Sequence, residues 1–318
     1  MRAVWLTEFG GPEVLVPGEA PEPVPGPGQV LVKVDYANVT FVETQFRAGL
    51  TVGPLRGEPP LIPGNGVGGT VVAVGPGVDR GLVGKPVVGS TGGTGGYAER
   101  ALVDAAGRYD VPAGLALDAA VAVLADGRTA TMLVRAAGVR PGDRVLIEAA
   151  AGGVGTLLIQ LVRAAGARVV AAAGGPRKVE LARDLGADLV VDYHDPDWTA
   201  QLRAAVGTVD VVLDGVGGEL GRAAFELLGM GGRMVSFGLA SGAWAGIPDE
   251  AAQARGVTLV RPRPSPQDLR ADTVHALAEA AAGRLRPVIG QRFPLERAAD
   301  AHAAIQSRIT LGKTLLTV

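Results

Sequence analysis

The chain is 318 residues long, 47% hydrophobic, and nearly balanced between 30 basic and 32 acidic side chains, as expected of a soluble globular protein with one large or two ordinary domains. There is no basic surplus for nucleic acid and no apolar stretch approaching the roughly 18–20 residues that span a bilayer, so neither nucleic acid nor membrane is an expected partner. The absence of cysteine excludes disulfides, thiol nucleophiles and thiolate metal sites together.

The opening "MRAVWLTEFGGPEVL" interrupts its apolar run with Glu8 and glycines and has no signal-peptide core, so cytoplasmic residence is the expectation. Up to about residue 118 the chain alternates short strand-like runs with prolines and glycines, which predicts a β-rich domain. Two glycine runs fall here, "PGNGVGGTV" at 63–71 and "STGGTGGYAE" at 90–99. A phosphate-binding turn needs a strand before it and a helix after it. Neither run is followed by an amphipathic helix, so both are read as turns and bulges between strands.

The stretch around residue 150 has the right context. "GDRVLIEA", ending at Ala149, reads as a strand, and "VGTLLIQLVRAAGA" spaces Val154, Leu157, Leu158, Leu161 and Val162 at helical intervals before Gly166. A second strand, "RVVAAA" at 168–173, follows. This is a βαβ unit of the dinucleotide-binding type, with Gly152, Gly153, Val154 and Gly155 forming the turn and Ala150 standing where a first glycine is usual. "ADLVVDY", "TVDVVLDGVGG" and "GGRMVSFG" extend the alternation, predicting five or six parallel strands over about 120–256.

NAD-selective sites place an acidic residue about 20 positions beyond the glycines. Here Ala171–Ala173, Gly174 and Gly175 occupy that region, followed by Arg177 and Lys178, with Tyr193 ending the next strand. No carboxylate repels a 2′-phosphate, and Lys178 and Tyr193 can surround one, which argues for NADPH. The competing reading leaves Arg177 and Lys178 solvating the first turn of a helix. The three histidines, His194, His275 and His302, have no metal-ligand spacing. His275 and His302 lie in helical patterns and read as structural or solvated, and Tyr97 reads as packed in the β-rich domain.

Taken with "GPEVL", "GGYAE" at 95–99, "DGRTATMLVRAAGVRPGDRVLIEAAAGGVG" at 126–155, "KVELARDLGAD" at 178–188, "LDGVGG" at 213–218, "GGRMVSFG" at 231–238 and "LGKTLLTV" at the end, the chain resembles the medium-chain dehydrogenase/reductase superfamily. The branch it resembles is that of the zinc-free quinone oxidoreductases and enoyl reductases. The resemblance implies an α/β protein made of a chaperonin-10-like β-rich catalytic domain, 1–118 with 257–318, and a Rossmann doubly wound parallel-sheet domain, 119–256, with the cofactor in the cleft between them. It places Thr129, Phe237 and Gly238 near the nicotinamide, Gly215 and Val216 along the cofactor groove, and Lys313 close by. It also implies a homodimer.

Zinc-dependent relatives carry glycine, histidine and glutamate where this chain has Gly64, Asn65 and Gly66, and they need a cysteine near position 40. Those ligands are absent, leaving metal-free hydride transfer from NADPH to an enone or a quinone. The segment 36–53 corresponds to the family's substrate-side stretch, but Thr40, Gln45 and Thr51 stand where relatives present an asparagine and two tyrosines. They can orient and polarise a carbonyl and are poor proton donors; the competing reading makes Thr40 an ordinary strand residue and the other two surface groups. Glu43 replaces the usual aspartate, and Arg47, four residues on, either pairs locally with it, the favoured reading, or has a part in the site. Reduction of an α,β-unsaturated carbonyl is the leading expectation, quinone reduction the second, and a non-catalytic NADPH-binding protein the alternative of another class.

Overall fold

The computed structural model describes residues 1–50 and 55–318, which fall into two units: 1–125 with 276–318, and 126–275. In the first unit, β1 (Arg2–Leu6) pairs antiparallel with β2 (Leu15–Glu19). After β3 (Gln29–Val39) come α1 (Phe41–Arg47), β4 (Gly66–Val74), β5 (Pro86–Ser90), β6 (Arg100–Asp104), β7 (Arg108–Asp110) and the start of α2 (Leu117–Ala137).

"PGNGVGGTV" therefore leads into a strand, β4, antiparallel to β3. Its glycines serve close packing: a Cβ at Gly69 would strike the Lys33 carbonyl oxygen on β3. "STGGTGG" is a turn with Gly92, Gly93 and Gly95 at positive φ, a conformation glycine adopts without strain.

The second unit alternates strand and helix: β8 (Arg144–Glu148), α3 (Gly153–Ala164), β9 (Arg168–Ala173), α4 (Pro176–Asp184), β10 (Leu189–Asp192), α5 (Trp198–Val206), β11 (Val209–Asp214), α6 (Gly218–Phe225), β12 (Leu228–Ser236), α7 (Asp249–Ala254), β13 (Thr258–Leu259) and the first part of α8 (Pro266–Ala281). The strands form one parallel sheet in the order β10-β9-β8-β11-β12-β13, the order of the doubly wound dinucleotide-binding fold. Val145, Leu146, Ile147, Val211, Val212 and Leu213 are fully buried, as continuous apolar strands are when helices cover both faces of a parallel sheet. The order reverses between β8 and β11, so the loops leaving these two strands flank the switch point where such sheets bind ligands.

The chain ends with β14 (Gln291–Pro294), α9 (Ala298–Gln306) and β15 (Thr314–Thr317). In the first unit's sheet, β15 lies between β14 and β3, and Leu295, Ala298, Ala301 and Leu316 join a core containing Val30, Val32, Phe46 and Tyr97. No helix among the described residues is long and apolar enough to cross a membrane.

Candidate active site

The turn after β8 is built for close approach. Ala149 leaves the strand at φ 50°, a left-handed conformation that is costly for a residue with a Cβ. Gly152 then caps α3 with no side-chain hydrogen bond to the helix. A Cβ at Gly155 would strike the Ala149 carbonyl oxygen, whereas one at Gly152 would lie 3.3 Å from the same atom. Glycine at 155 lets helix and strand meet, and the leading amides of α3 lack intrahelical acceptors and stand at the positive end of the helix dipole, an arrangement that can receive an anion.

At the next switch of strand to helix, β9 ends in buried Ala171–Ala173. A Cβ at Gly174 would meet the rings of Tyr193 and His194, the nearest Tyr193 atom at 2.7 Å, so Tyr193 lies directly over this turn. Lys178 is in the first turn of α4 and is half-buried. One carboxylate does stand nearby, unnoticed in the sequence: Asp192, at the end of β10. Its Oδ1 is engaged by the amides of Gly175 at 3.0 Å and His194 at 2.9 Å, and those two bonds together with the His194 charge hold its pKa below the ordinary carboxylate range despite partial burial.

Between β11 and β12, Asp214 organises the loops that hold Gly215, Val216, Phe237 and Gly238. Its Oδ1 accepts from the amides of Val216 at 2.9 Å and Gly217 at 2.7 Å, its Oδ2 from the Ser236 hydroxyl at 2.8 Å, and its carbonyl from the Phe237 amide at 2.8 Å. Gly215 and Val216 are buried, while Thr129, in α2, Phe237 and Gly238 are partly exposed.

In the first unit, Thr40 is the N-cap of α1 and closes a capping box with Glu43. The Glu43 carboxylate accepts from the Thr40 amide at 2.6 Å, the Thr40 hydroxyl at 2.9 Å and the Asn65 amide at 2.9 Å. Burial pushes the Glu43 pKa up, and these hydrogen bonds and the Lys313 charge oppose that shift. Lys313 is itself buried. The expected Glu43–Arg47 pair is therefore replaced: the box turns Glu43 back toward the helix start, and Arg47 Nη2 donates instead to Gln306 Oε1 at 3.1 Å and the Thr44 carbonyl at 3.4 Å. Gln45 is buried with no partner for its Oε1, and Thr51 lies outside the described residues. Asn65 Oδ1 accepts from the Ser90 hydroxyl at 2.7 Å. His302, sequestered in α9, is bonded to Tyr97, and His194 and His275 are exposed. Among the described residues, no three His, Asp or Glu side chains are grouped to hold a metal.

Two family models match the chain: "alcohol dehydrogenase GroES-like domain" over 26–113 and "zinc-binding dehydrogenase" over 185–316. The quinone oxidoreductase of Pseudomonas aeruginosa is 33% identical, covering 99% of both chains. A 2-haloacrylate reductase from a Burkholderia species is 32% identical, covering 99% of this chain and 98% of that one. The crystal structure of Escherichia coli quinone oxidoreductase complexed with NADPH superposes with a TM-score of 0.92 at 29% identity, over the full length of both chains. The chain belongs to the medium-chain dehydrogenase/reductase superfamily, in its zinc-free quinone oxidoreductase branch. It accordingly combines a GroES-like domain with a Rossmann-type parallel sheet, and it is an oxidoreductase of that superfamily.

Proposed function

We propose that this protein is a cytoplasmic NADPH-dependent reductase that adds a hydride to the double bond of an α,β-unsaturated carbonyl, without a metal. The observation that carries this reading is the turn after β8, where a glycine N-cap at 152 that puts no side chain on the leading amides and the forced glycine at 155 leave backbone room and amide donors for a pyrophosphate. In this reading Gly152, Gly153, Val154 and Gly155 hold the pyrophosphate. Gly174, Lys178 and Tyr193 surround the 2′-phosphate, and the one carboxylate beside them, Asp192, is already engaged by two backbone amides. Thr129, Gly215, Val216, Phe237, Gly238 and Lys313 line the rest of the cofactor, within a cofactor domain of 119–256.

Bound NADPH supplies the hydride. Thr40, Gln45 and Thr51 orient the acceptor; the Gln45 side-chain N–H is the donor suited to polarise its carbonyl oxygen, because the Thr40 hydroxyl already donates to Glu43. Metal independence is supported by ligand supply: the chain has no cysteine, and the Asn65 side-chain oxygen accepts from the Ser90 hydroxyl. The Burkholderia relative supports the acceptor class, since its named substrate is an α,β-unsaturated acid. The quinone oxidoreductase relatives favour a second reading, reduction of a quinone. A homodimer is the proposed assembly.

The test is to mix protein with NADPH and panels of enones and quinones and follow loss of the reduced-nicotinamide absorbance. Faster turnover of enones supports the first reading and turnover of quinones alone the second. Tight NADPH binding with no turnover of any acceptor would make the chain a non-catalytic binding protein.

A further inference from the structure

Glu148 is the last residue of β8 and Asp214 the last of β11. The strands are parallel neighbours, with Ile147 opposite Leu213. The next residue along each strand, Glu148 and Asp214, therefore falls side by side on one face of the sheet. Both are fully buried. Asp214 takes three donors, from Val216, Gly217 and Ser236, a set suited to an ionised carboxylate.

Glu148 differs, because neither of its oxygens has a hydrogen-bond donor. On its other flank β9 offers Ala172, and Asp214 is the charged group whose field reaches it among the described residues. A buried carboxyl with no donor aimed at it and a carboxylate beside it is stable as the neutral acid, whose O–H then needs an acceptor. Burial first, and then the adjacent Asp214 carboxylate, push the Glu148 pKa well above the ordinary carboxyl range.

We propose that Glu148 is a positioning residue for the dinucleotide: as the neutral acid it donates a hydrogen bond to Asp214, and the pair clamps the β8 turn to the loops after β11 and β12. This rests on the reading of the β8 turn as an NADPH site. The three loops leave adjacent strands at the switch point, and Asp214 ties together the two after β11 and β12. Its side chain receives Val216, Gly217 and Ser236, and its carbonyl receives Phe237. The arrangement costs stability at neutral pH, because the folded chain retains a proton that the unfolded chain releases. A costly buried pair at a ligand site is the pattern that function maintains.

The experiment combines two readouts. Infrared spectroscopy of the nucleotide-free protein at neutral pH is expected to show a protonated-carboxyl band that Glu148→Gln removes. NADPH titration by fluorescence is expected to give wild-type affinity that falls at alkaline pH. Glu148→Gln, which keeps a donor and cannot ionise, should bind within about twofold of wild type at neutral pH and lose that alkaline fall. Glu148→Ala should bind about tenfold more weakly, as for a lost hydrogen bond to a charged group.

An absent band, or an alkaline fall unchanged in Glu148→Gln, overturns the clamp even where Glu148→Ala fails to fold. Folded Glu148→Ala that binds as tightly as Glu148→Gln does the same. If the unaltered protein does not bind NADPH at all, the cofactor reading falls and the clamp with it, and the infrared band identifies that case because it needs no nucleotide.

Discussion

The Tyr97 hydroxyl and His302 Nε2, 205 positions apart in sequence, share a hydrogen bond of 2.9 Å with both side chains fully buried. Burial and, next, the nearby Arg47 charge lower the His302 pKa to about 3, so the ring is neutral in the folded protein. In the unfolded chain it titrates near about 6.5. Between these values the unfolded state binds more protons, so stability is fully present above the unfolded pKa and is lost as pH falls toward about 3. Urea unfolding across this range should show a steeper acid loss in wild type than in His302→Asn. Equal slopes would mean that His302 does not contribute to acid unfolding.

Tyr97→Phe removes one side of the same bond. It leaves His302 Nε2 buried without its partner, beside an Nδ1 that already has none. The expected loss of stability is about 1–3 kcal/mol, read by the denaturant midpoint.

Arg47 is a buried cation whose direct hydrogen-bond partners are neutral, with Nε and Nη1 unpartnered. Arg47→Met fills similar space without the charge, and its expected effect ranges from none to a gain of up to about 4 kcal/mol. Because Arg47 opposes protonation of His302, the acid unfolding midpoint of Arg47→Met should move to lower pH. A shift to higher pH would show that the Arg47 charge stabilises this core.

The two glycines of the β8 turn differ in what they tolerate. Gly155→Ala brings a Cβ onto the Ala149 carbonyl oxygen, whereas Gly152→Ala meets that atom at 3.3 Å, a contact relieved by a small shift. Gly155→Ala should lose both NADPH affinity and thermal stability, and Gly152→Ala should lose less of each. Calorimetry with and without NADPH ranks them.

Lys178→Glu places a carboxylate in the first turn of α4, where the reading above puts a 2′-phosphate. NADPH affinity should fall by about tenfold or more while NADH affinity changes little, as expected when a charge-assisted contact becomes repulsion. Unchanged NADPH affinity would remove Lys178 from the site.

Much of this molecule is written locally. Alternating apolar strands and helical spacings over about 120–256 predict the parallel sheet, because each element's period reflects the face that it buries. The glycines at 152–155 stand out because a strand precedes them and a helix follows. Their neighbour Ala149 gives no sign of its left-handed backbone, since alanine is the residue least informative about a turn. Thr40 and Glu43 have the spacing of a capping box, a spacing that means a box only where a helix begins, as α1 does after Thr40. That same box explains why Glu43 does not face Arg47.

The sequence by itself determined the two-part architecture, the turn that fits a dinucleotide and the absence of cysteine ligands, since these depend on residue type and short-range spacing. Only the tertiary structure decided that Glu148 meets Asp214, that Tyr97 meets His302 and that Arg47 reaches Gln306. Each of these pairs joins polar side chains from distant segments inside apolar surroundings. Their energies depend on burial and on which partner the fold brings within hydrogen-bond reach, and neither quantity has a period that a sequence can display.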